Sequence, residues 1–289
     1  MKRWTDLLRT EFGKIADIVW SQNEEARGGL LHSKLLDSMN NSQKVTGEPM
    51  DRELAITMIT AVIFAGYETT ANVIIEALYE LSRHPDMQTK LRHELVDFSE
   101  RLGREPTYDD IMNPAQFTYL DALTRETLRT KAVQMTIYRE AAVEDTIPLQ
   151  FPIHCSGETA IAVQAGQLAH IPLRHGINVD TRIWGPDAAL FRPERWLDEG
   201  GLPDVVKDIR APGHLLTFGD GPKICLGRHF ALTEIKIILA ALVRDLIFEP
   251  DDEEYVFYKT GGNTVKPKIV GREHEGPQLY LRIRKSEER

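Results

Sequence analysis

The chain has few cysteines, no excess of basic charge and no long apolar run at its start. Only Cys155 and Cys225 occur among 289 residues, so a disulfide framework is excluded and a reducing compartment is favoured. The net charge of −9 offers no basic field for nucleic acid. Charged residues interrupt the first segment, MKRWTDLLRTEFGKIADIVW, which argues against a signal peptide or an anchor in it. These absences predict a cytoplasmic chain without nucleic-acid partners, with peripheral membrane contact left open.

The first third of the chain predicts helices. Residues 1–50 have the spacing of two amphipathic helices. Residues 51–83 form the longest helical pattern, which His84-Pro85 ends because a residue before proline avoids the α region. Its middle is apolar nearly all round, which predicts a central, buried helix. Pro85 then begins another helix that Gly103 closes.

The remainder adds short strands to further helices. Alternating or β-branched runs interrupted by Pro148, Gly157 and Gly166 predict a small β-sheet, with Arg139 just before it. The last forty residues predict terminal strands joined by a hairpin at Gly261-Gly262. The fold class is therefore mainly α with small β-sheets, in a single domain over residues 1–289.

Residues 217–227, TFGDGPKICLG, predict a tight loop that ends at a cysteine. The residues after it, up to 245, have the apolar spacing of a helix, so Cys225 should lie at a helix N-terminus. Unpaired N–H groups and the helix dipole there favour a thiolate, the form that binds metal. Beside apolar Phe218 and Ile224, this predicts a buried iron ligand. An ordinary buried cysteine before a helix is the alternative.

The middle of the 51–83 helix contains polar residues in the segment AGYETT, residues 65–70. Gly66 permits a ligand to approach the backbone closely, and Thr69 can bond to the carbonyl four residues earlier and loosen the helix. The residues alone support equally well a kinked core helix whose polar side chains face solvent.

The cysteine segment fits the pattern F-x-x-G-x-x-x-C-x-G, filled by Phe218, Gly221, Cys225 and Gly227. It resembles the haem-thiolate loop of the cytochrome P-450 monooxygenases. The resemblance implies haem b as cofactor, with Cys225 as the axial ligand of its iron, where a thiolate pushes electron density toward O–O cleavage. It also implies that Phe218 and Gly227 contact the haem.

The AGYETT segment resembles the same family's distal helix pattern, A-G-x-[D/E]-T-T. The resemblance implies that Ala65 and Gly66 lie against the cofactor. It also implies that Glu68 and Thr69 are the catalytic pair that relays protons during oxygen activation.

Glu126 and Arg129 are three residues apart and can pair on one helix face. The family closes such an E-x-x-R pair with an arginine from a segment F-x-P-E-R-[F/W], which matches residues 191–196 and supplies Arg195. The resemblance implies a buried triad with a structural role, because arginine can bond a carboxylate bidentately.

Two further cations follow from the resemblance. Arg139 matches an arginine that contacts a haem propionate, although a surface salt bridge explains it equally well. Lys223 takes a place where the family usually has arginine, so the charge is kept and the bidentate geometry is lost.

The whole resemblance implies a fungal-type, N-terminally truncated member of the family. Its expected activity inserts one oxygen atom from O2 into a small apolar organic substrate, in secondary or xenobiotic metabolism. Electrons would come from an NADPH-dependent reductase, and the location would be peripheral at the endoplasmic reticulum if a longer, anchored chain exists. The alternative is a catalytically inactive relative that acts as a haem-binding or interaction fragment.

Overall fold

The computed structural model describes residues 10, 13–15, 18, 52–198, 201–259 and 264–286. The chain divides into two compact units, Met1–Glu68 and Thr69–Arg289. Residues 10, 13–15 and 18 are helical, and the rest of the two predicted N-terminal helices lies outside the described residues.

The longer helices end where local chemistry predicts. α1 (Arg52–Arg83) stops before His84-Pro85, and α2 (Pro85–Leu102) begins at Pro85 and is closed by Gly103 in the left-handed region at φ 60°. The described helices are α1 (Arg52–Arg83), α2 (Pro85–Leu102), α3 (Tyr108–Met112), α4 (Thr118–Thr130), α5 (Thr181–Trp184), α6 (Asp204–Lys207) and α7 (Arg228–Asp245).

The first half of α1 buries Ala55 and Ile59 but leaves most of its other apolar side chains exposed, so the prediction of a buried helix holds only for its second half. The apolar pattern of a helix shows which faces could be buried, but it does not show whether another part of the protein packs against them. By length and composition alone, Glu53–Arg83 is also apolar enough to cross a membrane, a test that core helices of soluble proteins pass too. Side chains exposed by 37 to 60% in the first half are those of Leu54, Met58, Val62, Phe64 and Tyr67.

The described strands form antiparallel two-stranded sheets, which confirms the predicted small sheets; the first joins β1 (Thr136–Glu140) to β4 (Leu168–Pro172). Arg139 lies inside β1, opposite Ala169, and not before the sheet as predicted, because the β-favouring Ile137 and Tyr138 start the strand earlier. The predicted hairpin turn at 261–262 lies outside the described residues. The pairs are β1 (Thr136–Glu140) with β4 (Leu168–Pro172), β2 (Asp145–Pro148) with β3 (Ala160–Val163), β5 (Leu246–Pro250) with β8 (Leu281–Lys285), and β6 (Tyr255–Lys259) with β7 (Val265–Ile269).

The hydrophobic core of the larger unit lies where α2, α4 and α7 meet. Each helix turns one apolar face inward at a spacing of three or four residues. The Phe98 and Phe117 rings pack there with centroids 4.6 Å apart. Core side chains exposed by 2% or less include Leu91, Leu95, Phe98, Leu120, Leu123, Ile235, Leu239 and Val243.

Glu94 of α2 caps the N-terminus of α4. Its Oε1 accepts the N–H of Tyr119 at 2.7 Å, and its Oε2 accepts the N–H of Leu120 at 2.9 Å. The hydroxyl of Thr118 donates to Oε1 at 3.1 Å. The carboxylate also faces the positive end of the helix dipole. A single charged side chain therefore satisfies the first turn of α4 and ties it to α2.

We expect Glu94→Ala to lower the free energy of unfolding by about 2 kcal/mol, because two helix amides lose a charged acceptor. Glu94→Gln keeps one acceptor oxygen and should lose about half as much. Urea unfolding followed by circular dichroism measures both. Glu100→Ala, at an exposed position of the same helix, is the control and should change stability by less than about 0.5 kcal/mol. Equal losses for the two alanine variants would contradict the cap.

Candidate cofactor site

The cysteine loop, residues 217–227, is folded by two glycines and a set of short-range backbone bonds. Gly219 and Gly221 have φ of 72° and 68°, a region that other residues rarely adopt. The N–H of Cys225 donates to the carbonyl of Phe218 at 2.8 Å and closes the loop. α7 begins at Arg228 with Gly227 as its N-cap. Cys225 therefore lies two residues before the cap.

The Cys225 side chain is exposed, whereas the sequence predicts a buried one. The sequence places Phe218 and Ile224 near the sulfur, but both are only half-buried and leave it uncovered. The reason is that Cys225 forms part of the wall of a cavity.

This cavity, of about 460 Å³, brings five of the predicted site residues together. Its size is within the range of small-molecule sites. Its lining is mainly apolar, with contributions from α1, the region of β1, the cysteine loop and α7. The predicted site residues in its wall are Thr69, Arg139, Phe218, Lys223 and Cys225.

The other predicted residues lie elsewhere on the chain. Gly227 is the N-cap of α7 and is not in the wall of this cavity. Ala65, Gly66 and Glu68 lie on α1 within Met1–Glu68, while Thr69 begins the unit that contains the cavity. A Cβ added to Gly66 or Gly227 would meet no atom within 4 Å, so both backbones can be approached closely.

The residues around the cavity fit a haem. A cysteine sulfur is a soft ligand that suits iron, and apolar walls such as Val73 and Ile235 suit a flat macrocycle. Arg139 and Lys223 supply two cations for carboxylate side groups. Among the described residues, Arg139 donates through Nη1 to the carbonyl of Tyr138 at 2.9 Å, and the guanidinium has further N–H donors for a ligand.

Glu126, Arg129 and Arg195 form a network in which each residue is at most 1% exposed. Arg129 Nε and Nη2 donate to the two oxygens of Glu126 at 2.8 and 2.7 Å, and Arg195 Nε donates to Oε1 at 3.2 Å. The indole N–H of Trp196 donates to Oε2 at 3.0 Å, and the backbone N–H of Arg192 donates to Oε1 at 2.9 Å. Both carboxylate oxygens are therefore fully used.

Asp187 completes this network and was missed from the sequence. Its Oδ1 lies 3.3 Å from Arg195 Nη1, so two acids face two arginines and no buried charge is left uncompensated. Burial raises the pKa of Asp187, but Arg195 and then Arg192 outweigh burial and hold the pKa below its usual range. The only sequence signal is an acid eight residues before Arg195, and the irregular segment between them has no period that links the two.

Arg129 also fixes the irregular segment that leads to the cysteine loop. Its Nη1 donates to the carbonyls of Asn178 at 2.7 Å and Ala188 at 2.6 Å, and its Nη2 donates to that of Leu190 at 3.1 Å. One guanidinium therefore ties α4 to three points of residues 178–190.

A second buried ion pair joins the C-terminal half of α1 to the segment after β4. Arg174 Nη1 donates to Glu76 Oε1 at 2.6 Å, with both residues at most 5% exposed. Burial raises the pKa of Glu76 above its usual range, and the charges of Arg174 and Lys131 oppose that rise without reversing it. Neither residue was singled out from the sequence, since the two are distant in the chain.

Cys225 is the candidate ligand because the alternatives among the described residues are weak. In that part of the chain, no group of three or more His, Cys, Asp or Glu side chains could hold a metal ion. Cys155 is a second free, exposed cysteine, but it does not line the cavity.

Cys225 lies in the wall of a mainly apolar cavity, a setting that suits a haem held through cysteine. The fold and the site thus define the class of haem-thiolate proteins. The sequence model of the cytochrome P450 family matches residues 7–269. The chain belongs to the cytochrome P450 family.

Its relatives confirm the fungal-type family predicted from the motifs. The chain is 33% identical to cytochrome P450 monooxygenase claQ of Ampulloclitocybe clavipes, over 97% of this chain and 53% of the relative. It is 31% identical to ganoderic acid synthetase CYP5150L8 of Ganoderma lucidum, over 91% of this chain and 48% of the relative. The crystal structure of a cytochrome P450, CYP102L1, superposes with a TM-score of 0.72 at 28% identity, over 97% of this chain and 56% of that one. The chain spans about half the length of the curated relatives it matches.

We expect Arg129→Lys to lower the free energy of unfolding by about 3–5 kcal/mol, because an ammonium cannot replace the bidentate bond and the three carbonyl contacts. Arg125→Lys is the matched control on the same helix. Arg125 pairs with Asp121 at 2.6 Å but is 37% exposed, so its replacement should cost less than about 1 kcal/mol. Urea unfolding of both variants measures the difference. A loss at Arg129 as small as that at Arg125 would show that the network does not hold the fold.

Proposed function

We propose that this chain is the haem-thiolate part of a monooxygenase that inserts one oxygen atom from O2 into a small apolar organic substrate. The observation that carries the proposal is the cavity in which Cys225 stands with the cations Arg139 and Lys223. Membership of the cytochrome P450 family and the monooxygenase names of the relatives support the same activity.

The proposed cofactor is haem b, which supplies the oxygen-activating redox chemistry when bound. Cys225 would hold its iron through Sγ. The bond from the Cys225 N–H to the Phe218 carbonyl fixes the backbone that carries this sulfur. Arg139 and Lys223 would bind the carboxylate side groups and so set the orientation of the macrocycle.

Thr69 and Glu68 are the proposed proton relay. The Thr69 side chain lines the cavity, and a hydroxyl can accept one proton while it donates another. Glu68, the preceding residue of α1, would supply the proton. Thr70 supports a polar function for this wall, because its buried Oγ1 has no hydrogen-bond partner among the described residues. Such an atom calls for a water molecule or a ligand in the cavity.

The mainly apolar lining of the cavity favours an apolar substrate. We propose a role in secondary metabolism, in keeping with the name of the Ganoderma lucidum relative, ganoderic acid synthetase. An NADPH-dependent reductase would deliver the electrons. The exposed apolar side chains in the first half of α1 would suit contact with a membrane surface such as that of the endoplasmic reticulum. The alternative is a cytoplasmic location without such contact.

A second candidate is a haem-binding or interaction fragment that does not turn over. The observation that favours it is the length of the chain, about half that of its curated relatives. This candidate predicts haem uptake through Cys225 without oxidation of any substrate. The two candidates therefore share the first step and differ in the second.

We expect the reduced, carbon-monoxide difference spectrum of the haem-loaded chain to show a thiolate-type Soret band that Cys225→Ser abolishes, because a hydroxyl does not replace a thiolate on iron. Cys155→Ser is the matched control, since Cys155 is also free and exposed, and it should leave the band unchanged. Purified chain that takes up no haem, or a band that survives in Cys225→Ser, would refute the proposal.

We expect Thr69→Ala to keep the haem but to divert electrons to hydrogen peroxide. General acid catalysis contributes about 100-fold or more, so without the relay most of the reduced oxygen should leave unused. The measurement is peroxide released per NADPH oxidised with the reductase present. Thr57→Ala, an exposed position of the same helix whose hydroxyl bonds to the Glu53 carbonyl at 2.8 Å, is the control. An unchanged peroxide ratio in Thr69→Ala would remove Thr69 from the relay.

A further inference from the structure

Asn178 is a fully buried residue at 0% exposure in the 3-10 turn Ile177–Val179. Its Nδ2 donates to Thr217 Oγ1 at 3.0 Å, and this hydroxyl donates to the carbonyl of Leu128 at 2.7 Å. Because the hydroxyl proton of Thr217 points to the Leu128 carbonyl, only the lone pairs of Thr217 Oγ1 can face Asn178. This arrangement places the NH2 group of the amide, and not its oxygen, against Thr217.

These two bonds belong to one continuous path from the charge network to the cysteine. At one end, Arg129 Nη1 donates to the Asn178 carbonyl at 2.7 Å. At the other end, Thr217 is followed by Phe218, whose carbonyl accepts the N–H of Cys225 at 2.8 Å. The path runs from Arg129 through Asn178 and Thr217 to the backbone of Cys225, entirely within Thr69–Arg289.

Packing holds the cysteine loop only in part, through Phe218, which lies partly buried against the hydrophobic core. No residue is buried in either of its 3-10 turns, Leu216–Phe218 and Gly221–Lys223, and Leu226 is 87% exposed. In the described part of the chain, the Asp220 side chain accepts a hydrogen bond from the adjacent amide of Gly221 and from no other residue. Among the side chains of residues 217–227, Thr217 is the one that the structure bonds to other elements, namely to Asn178 and to α4.

We propose that Asn178 and Thr217 are positioning residues for Cys225. They form a clasp that fixes the Phe218 carbonyl relative to α4, and this carbonyl in turn fixes the backbone that carries the thiolate. The role at iron rests on the proposed haem-thiolate function, whereas the effect on the loop does not. The clasp is retained although Asn178 Oδ1 is buried without a hydrogen-bond partner among the described residues, a cost that an apolar side chain there would avoid.

Deletion of the Thr217 hydroxyl tests the clasp. Thr217→Val keeps the shape of the side chain but leaves the Asn178 amide and the Leu128 carbonyl without a partner. We expect the amides of residues 217–225 to exchange hydrogen about five- to tenfold faster, as the loss of one net hydrogen bond requires. Thr217→Ser restores the hydroxyl and should restore protection.

Thr124→Val is the matched control. Thr124 is also fully buried on α4, and its hydroxyl bonds to the carbonyl of Leu120 at 2.7 Å, within its own helix. The experiment is hydrogen exchange of the full chain by mass spectrometry, without added haem. Faster exchange confined to residues 217–225 in Thr217→Val alone supports the clasp. Equal loop exchange in the two valine variants, or a uniform increase over the whole chain in Thr217→Val, would overturn it.

The haem-loaded chain tests the consequence at iron. Thr217→Val should lower the fraction of the carbon-monoxide complex with the thiolate-type Soret band, and Thr217→Ser and Thr124→Val should not. An unchanged fraction in Thr217→Val, with a thiolate band present in the unaltered chain, would overturn the positioning role. Absence of that band from the unaltered chain would refute the proposed function instead, and the exchange experiment would still decide the clasp.

Discussion

The buried carboxylate of Glu126 is the constraint on which the larger unit depends. An ionised carboxylate removed from water is unfavourable by several kcal/mol unless its oxygens are fully hydrogen-bonded. Here the donors come from Arg129 on the same helix and from Arg192, Arg195 and Trp196 in a distant part of the chain. Satisfying this one charge therefore fixes α4 against the Pro193–Trp196 turn. Neither of these two elements can move away from the other without leaving a buried charge unpaired.

Two kinds of interaction build the cavity, hydrophobic burial and directional hydrogen bonds. Hydrophobic burial brings α2, α4 and α7 together, but it is non-directional and tolerates small shifts of one surface over another. A metal ligand must be placed more accurately than burial alone can achieve. Directional bonds supply that accuracy, since the donors of Arg129 meet fixed carbonyls and the Cys225 amide meets the Phe218 carbonyl. The cysteine loop is thus held by the packing of Phe218 and, more directionally, by hydrogen bonds.

Local chemistry made much of this fold predictable from sequence. Pro85 and Gly103 set the limits of α2, and the cysteine pattern identified the loop that lines the cavity. The misses concern tertiary relations that have no local signal. Neither the exposure of Cys225 nor the cap that Glu94 gives to α4 can be read from neighbouring residues, because each depends on an element distant in sequence. The exposed first half of α1 is the same kind of miss, since periodicity identifies a face and not its cover.

The proposed ligation of a haem and the proposed oxygen insertion would make separate demands on the chain. The cavity wall, the charge network and the bonds that reach Cys225 all lie within Thr69–Arg289. The proposed ligation through Cys225 would therefore draw on interactions within that compact unit. The proposed relay also needs Glu68, which belongs to the other unit, and turnover needs a reductase and an enclosed substrate. Loss of these would leave ligation intact, so a chain that binds haem without turnover is physically coherent, and the two proposed activities can be separated by experiment.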